Sequence, residues 1–185
     1  ALRELGAPRL SLIAFLDPDS DLAGADFRSS ERSFQSFYGA WRLLGSKGDL
    51  FIQTRESSHF VFSRLTEMDY PSFADGELEA RRDFFYPPFC WIIKARFASY
   101  DRRAMEAAGS AFLRATAFLG ADGDKSEVLG PVIPPGQEKH KFFSEYYLVK
   151  AATERAAMLC MEKAQALPER PGVKFFLEAD PYGLR

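Results

Sequence analysis

In Phe89-Cys90-Trp91-Ile92-Ile93-Lys94-Ala95-Arg96-Phe97, the residues Phe89, Trp91, Ile93, Ala95 and Phe97 alternate with Cys90, Ile92, Lys94 and Arg96. A period of two sends successive side chains to opposite faces, so the run predicts a β-strand. Downstream, Asp101 stands where a helix N-cap belongs, and Met105, Ala108, Phe112, Ala115 and Leu119 form a helical stripe with Gly120 at its end. Residues 128–133 and 142–149 predict two strands. Thr153 opens a helix carrying Ala157, Cys160, Met161, Ala164 and Leu167, and 173–179 predicts the last strand. The order β-α-β-β-α-β is that of a ferredoxin-like, split-βαβ domain.

Upstream, Leu10 to Leu16 is an almost continuous apolar run, as expected of a strand covered on both faces, and Asp17, Pro18, Asp19 and Ser20 break it. Phe34, Phe37, Tyr38, Trp41 and Leu44 recur at helical spacing within 30–44, Gly45 ends that helix, and Leu50, Phe51 and Ile52 predict a second strand. This is a βαβ unit with too few elements to bury both faces of a sheet, so it reads as a piece of a larger parallel sheet. Residues 57–86 read as helical, with Pro71 in a first turn and Glu77, Glu79, Arg81 and Arg82 on a polar face, until Pro87-Pro88 stops the segment.

The 185 residues are 46% hydrophobic and 27% charged with net charge -2, which excludes a disordered chain and gives no bulk attraction to nucleic acid. No apolar run is long enough to cross a membrane, and the start lacks a secretory signal; it is Ala1 rather than Met, as in a fragment or processed product. Cys90 and Cys160 read as buried thiols in a reducing cytosol, the alternative being one isolated bridge. With His59 and His140 as the two histidines, the usual zinc spacings and a Ser-His-Asp arrangement do not occur, and there is no G-x-x-x-x-G-K-[ST] phosphate loop. The chain alone is therefore expected to carry no catalytic residue, metal or cofactor.

Three constellations remain. Asp17, Asp19, Ser20, Asp21 and Asp26 follow a strand, as metal or phosphate ligands do in open α/β sheets and as turn formers do elsewhere. Lys139, Lys141, Lys150 and Arg155 form one basic cluster and Lys94, Arg96, Arg102 and Arg103 another, with Asp101, Glu138 and Glu145 among them. The aromatic strand at 142–148 invites an RNA-recognition reading, but Phe142 and Glu145 occupy positions where that signature needs glycine and small residues.

Ordered motifs then become specific. Leu16-Asp17-Pro18-Asp19-Ser20, followed by Asp26-Phe27-Arg28-Ser29-Ser30-Glu31-Arg32-Ser33-Phe34-Gln35, resembles the late helicase motifs D-A-D-S and D-F-R-A-S-E-R-T-F-Q of the primosomal replication-restart DNA helicases, the primosomal protein N-prime (PriA) family. The resemblance continues through Asp49-Leu50-Phe51-Ile52-Gln53-Thr54, Glu77 to Arg82, Tyr86-Pro87-Pro88-Phe89, Val128 to Val132, and Leu177-Glu178-Ala179-Asp180-Pro181.

The resemblance implies that residues 1–56 are the C-terminal piece of the second RecA-like helicase lobe, 57–88 a helical connector and 89–185 the ferredoxin-like C-terminal domain. It implies a cytoplasmic protein of the primosome that binds branched or single-stranded DNA, the acidic tail of single-stranded-DNA-binding protein and other primosome proteins, with no membrane partner. ATP and magnesium belong to the intact parent, an ATP-dependent helicase, and zinc to its upstream region. In register, the two arginines of the family's Q-V-A-G-R-A-G-R motif fall on Leu43 and Ser46; Gly45 persists, and Arg42 lies one position off, about 100° around a helix.

Arg28, Arg32, Lys94, Arg96, Lys139 and Lys141 are the DNA-binding candidates, with lobe-internal salt bridging the alternative for Arg28 and Arg32. Arg155, which matches the family's arginine at the start of the last helix, and Lys150 are the candidates for the partner's tail; Arg42 is the ATP-associated candidate. Two rival readings stand beside this one: a stand-alone degenerate relative acting as an adaptor without ATPase activity, and a working parent helicase using Arg42 or a partner residue.

Overall fold

Parallel pairing of β1 (Leu12–Leu16) with β2 (Asp49–Gln53) organises the N-terminal part of the chain, with Ile13 opposite Leu50 and Phe15 opposite Ile52. The structure, a computed structural model, describes residues 10–23, 26–45, 48–121, 123–134, 141–181 and 183. It divides into two units, Ala1–Ala80 and Arg81–Arg185. Among the described residues no helix is long and apolar enough to cross a membrane.

In the first unit, a single turn, α1 (Asp19–Leu22), follows β1, and α2 (Ser29–Leu44) connects the two strands. Gly45 ends α2 with φ 65°, a conformation that favours glycine. Phe34 and Phe37 on α2 meet Val61, Phe62 and Leu65 of α3 (Phe60–Glu67) and Phe73 of α4 (Tyr70–Asp83), with Phe15, Leu50 and Ile52 packed against them. Phe34 stacks on Phe73 with ring centroids 3.9 Å apart. The single helical segment expected over 57–86 is thus two helices: Met68 turns left-handed, φ 52°, and the α4 side chains fold back onto α2. Pro71 lies in the first turn of α4 as expected, whereas Glu77, expected on its polar face, is buried.

The run Leu10 to Leu16 was expected to be covered on both faces. Ile13 and Phe15 turn toward the aromatic cluster, but Leu12, Ala14 and Leu16 are exposed, as is Phe51 beside Ala14. One helix and its neighbours cover one face of a two-stranded sheet, and nothing described here covers the other.

The second unit holds β3 (Trp91–Ser99), α5 (Arg102–Ala115), β4 (Glu127–Val132), β5 (Phe143–Ala151), α6 (Glu154–Gln165) and β6 (Val173–Ala179). Its antiparallel sheet has the order β4-β5-β3-β6, the split-βαβ arrangement. The caps fall where the sequence places them: the Asp101 carboxylate accepts from the Arg103 and Ala104 amides, and the Thr153 hydroxyl from that of Ala156. Helix α5 stops at Ala115, short of Gly120, which instead lies in the following turn with φ 75°. Ile93, Ala95 and Phe97 of β3 and Tyr147, Val149 and Ala151 of β5 pack against Met105, Ala108 and Phe112 of α5 and Ala157, Cys160 and Ala164 of α6. Both cysteines are free and buried, and burial pushes each thiol up to about 11.

Candidate nucleic-acid interface

Strand alternation fixes the other face of the four-stranded sheet. With Ile93, Ala95 and Phe97 against the helices, Ile92, Lys94, Arg96 and Ala98 look the opposite way. The register sets Lys150, Leu148, Tyr146 and Ser144 of β5 beside them on one side, and Glu178, Phe176 and Lys174 of β6 on the other.

One end of this face is roofed. The Lys150 amine donates to the Phe84 carbonyl at 3.0 Å, sits 4.2 Å from the centre of the Tyr86 ring and pairs with Glu127 at 3.2 Å. The Lys94 amine donates to the Gly183 carbonyl at 3.4 Å and lies 4.8 Å from the Tyr146 ring centre, while the Asp180 amide donates to Ile92. Ile92, Lys94, Leu148 and Lys150 are all buried beneath these contacts. Burial draws the Lys94 amine below the usual lysine range; the Glu178 carboxylate opposes that and the Arg96 charge adds to it.

The other end is bare. The Arg96 guanidinium lies 4.4 Å from the centre of the exposed Phe176 ring, and exposed Tyr100 meets Phe142 edge-on at 5.0 Å. Lys174, paired in register with Ala98, is exposed there, and Lys141 is exposed in the turn just before Phe142. Among the described residues Arg96, Lys141 and Lys174 form no salt bridge.

The sequence candidates therefore separate. Arg96 and Lys141 lie at the bare end, Lys94 and Lys150 are held under the roof, and Lys139 falls outside the described residues. Arg155 is exposed in the first turn of α6, on the helix side of the sheet, with Met158, Leu159 and Glu162 along the same surface. It and Lys150 are on opposite sides of the sheet and do not form one pocket. Arg32 pairs with Asp26 at 3.1 Å, inside the first unit. The Arg28 guanidinium lies 4.5 Å from the Phe27 ring centre, and Arg42 is exposed in the last turn of α2.

The carboxylates after β1 are also engaged. Arg55 bridges Asp17 at 2.8 Å and Asp19 at 3.6 Å, Thr54 donates to Asp19, and the Arg55 amide does so at 2.9 Å. The Thr54 hydroxyl, then the Arg55 amide, holds the Asp19 carboxyl below its ordinary value. This is a turn locked by its own cation; among the described residues no group of three or more His, Cys, Asp or Glu side chains is placed to hold a metal.

Glu145, read from sequence as an acid among the basic residues, belongs to the helix side of the sheet. It is buried, and the Tyr147 hydroxyl donates to it at 2.9 Å. It therefore does not neutralise the bare face. Phe176, Tyr100 and Lys174 were missed by sequence reasoning. The alternation of 173–179 carried the signal for Phe176 and Lys174, but assigning them to a face needed the register with Arg96 and Ala98.

Comparison with known proteins adds the lineage. "Replication restart protein PriA" of Thermotoga maritima is 26% identical over 181 residues, 97% of this chain and 23% of that protein. The Bacillus subtilis protein of the same name is 28% identical over 188 residues, 96% of this chain and 23% of its own length. That of Treponema pallidum is 36% identical over 130 residues, covering 67% of this chain and 19% of the relative. The chain thus spans about a quarter of the length of the first two relatives. A family model described as the primosomal protein N C-terminal domain matches residues 82–182, from the last turn of α4 through β6, and the chain belongs to that family.

Proposed function

We propose that this chain works in replication restart as the C-terminal module of a primosomal DNA helicase, holding branched or single-stranded DNA and the acidic tail of single-stranded-DNA-binding protein. The observation that carries the reading is the family match over 82–182, which covers every element of the split-βαβ sheet and both helices packed on it. DNA is assigned to the face bearing Arg96 and Lys141. The tail is assigned to the opposite side, where exposed Arg155 adjoins Met158 and Leu159. A guanidinium binds a carboxylate through two parallel hydrogen bonds, and the neighbouring apolar side chains would take the residues beside it.

The bound nucleotide, with its magnesium, would be held by upstream residues of the intact protein, as would zinc. This chain has no phosphate loop, and Arg42, alone on an exposed helix turn, does not make a nucleotide site. Leu43 and Ser46 in place of the family's arginines favour the adaptor reading as the second one. Steady-state ATPase of the intact protein with and without forked DNA separates the two: DNA-stimulated turnover supports the motor, and its absence supports the adaptor.

The tail assignment is tested by calorimetric titration of the chain with a peptide of the partner's acidic C-terminus. Arg155→Ala is expected to weaken binding about tenfold or more, the loss of one charge-assisted contact. Unchanged affinity removes Arg155 from the site.

A further inference from the structure

We propose that the bare end of the sheet face is a site for unpaired nucleotides, with bases stacking on the Arg96–Phe176 and Tyr100–Phe142 pairs and phosphates taken by Lys141 and Lys174. The inference rests on the DNA-binding reading above and specifies which part of DNA this face takes.

The argument starts from exposure. Phe176 is 40% and Tyr100 76% exposed, on a sheet face whose other end is closed over by the Phe84–Tyr86 segment and Gly183. Exposed aromatics beside cations that form no salt bridge among the described residues make a surface suited to a flat, electron-rich ring attached to a negative charge. Guanidinium and aromatic planes are the usual platforms for splayed-out bases, and such stacking tolerates any sequence because every base has a π-face. A duplex hides its base faces and is read by an element that enters a groove, which the face of a sheet end flanked by Tyr100 does not supply. Arg96 and Tyr100 are four residues apart on β3 and its extension, about 13 Å at ~3.3 Å per residue, so the two platforms would engage non-adjacent bases. Glu178, the acid of this face on β6, is set opposite Lys94, one same-face position from Phe176 and away from the Tyr100–Phe142 platform.

The experiment is fluorescence anisotropy of the whole chain with a labelled oligothymidine and with an abasic phosphodiester strand of equal length. Oligothymidine is expected to bind about tenfold tighter or more, since each stacked base is worth roughly fivefold or more and two platforms act together. Tyr100→Ala and Phe176→Ala should each remove much of that preference and leave abasic binding unchanged, while Lys174→Ala should weaken both strands. Tyr100 is the more exposed and outside the strand, so its variant keeps the test open if Phe176→Ala unfolds, which circular dichroism would show.

Equal affinity for the two strands, or full preference retained in Tyr100→Ala, overturns the stacking site while leaving DNA binding in place. Displacement of oligothymidine by polyglutamate as effectively as by abasic strand in both wild type and Tyr100→Ala would make the patch a general anion surface and also overturns it. No binding to any strand overturns the DNA reading itself, and the site with it.

Discussion

In the second unit the helices seal the central strands of the sheet: Ile93, Ala95, Phe97, Val149 and Ala151 are each at most 2% exposed. In the first unit the sheet face turned away from α2 shows Leu12 at 57%, Leu16 at 70% and Phe51 at 53%. Both are built from apolar strands with a helical crossover, and they differ in what covers the strands. Four antiparallel strands with two helices on one face complete a core, leaving a mixed polar and aromatic face to meet water or a ligand. Two parallel strands leave an apolar face uncovered, and its burial, worth roughly 25 cal/mol per Å² of apolar area, is unrealised. The first unit is held instead by the aromatic cluster of α2, α3 and α4 around Phe34 and Phe73. Exposed apolar strand residues of this kind are a surface suited to burial against a further element.

Urea unfolding gives the sharpest way to break this comparison. Phe112, fully buried between α5 and the sheet, should cost about 3–5 kcal/mol when changed to alanine, whereas Leu16→Ser should stay within about 0.5 kcal/mol. A comparable cost at Leu16 would mean that the outer face is covered in solution.

A smaller effect is expected at Gly109. A Cβ there would run into the Glu145 carboxylate and the Tyr147 hydroxyl and lie 2.9 Å from the Tyr147 ring edge. Gly109→Ala should destabilise by about 1–3 kcal/mol, measured in the same titration, and Glu145→Ala in the same chain should recover part of it.

The smallest effect is a pH slope. Burial raises the Glu145 carboxyl above its ordinary value of 4.5, partly offset by the Tyr147 hydroxyl, with Glu106 adding to the rise and Arg102 opposing it. The folded state therefore keeps this proton after the unfolded chain has released it, so the contribution is full below pH 4.5 and is lost as pH rises through the raised folded value. Melting curves across that window should fall more steeply for wild type than for Glu145→Gln; identical slopes would show that Glu145 does not hold its proton.

Much of the second unit was legible because local signals agree with the tertiary ones. Period-two strands, Asp101 and Thr153 as caps, and the apolar stripes of α5 and α6 all point to the same sheet. What was illegible depended on partners distant in sequence. The break at Met68 follows from α4 packing back on α2. Glu77 lies on the helix face the sequence marks as polar, and only that packing buries it. Lys94 and Lys150 read as surface cations until Gly183, Phe84 and Tyr86 are seen to occupy them. Phe176 becomes a site residue only through its place beside Arg96, which no spacing within 173–179 announces.

The most direct test of the account is the salt dependence of forked-DNA binding by the whole chain. If Lys141 and Lys174 take two phosphates of a single-stranded arm, affinity should be measurable near about 50 mM salt and fall with a log–log slope of about -1.4, and a chain with both changed to alanine should lose most of that slope. Absence of binding at low salt, or the same slope in the double variant, would contradict the assignment of DNA to this face.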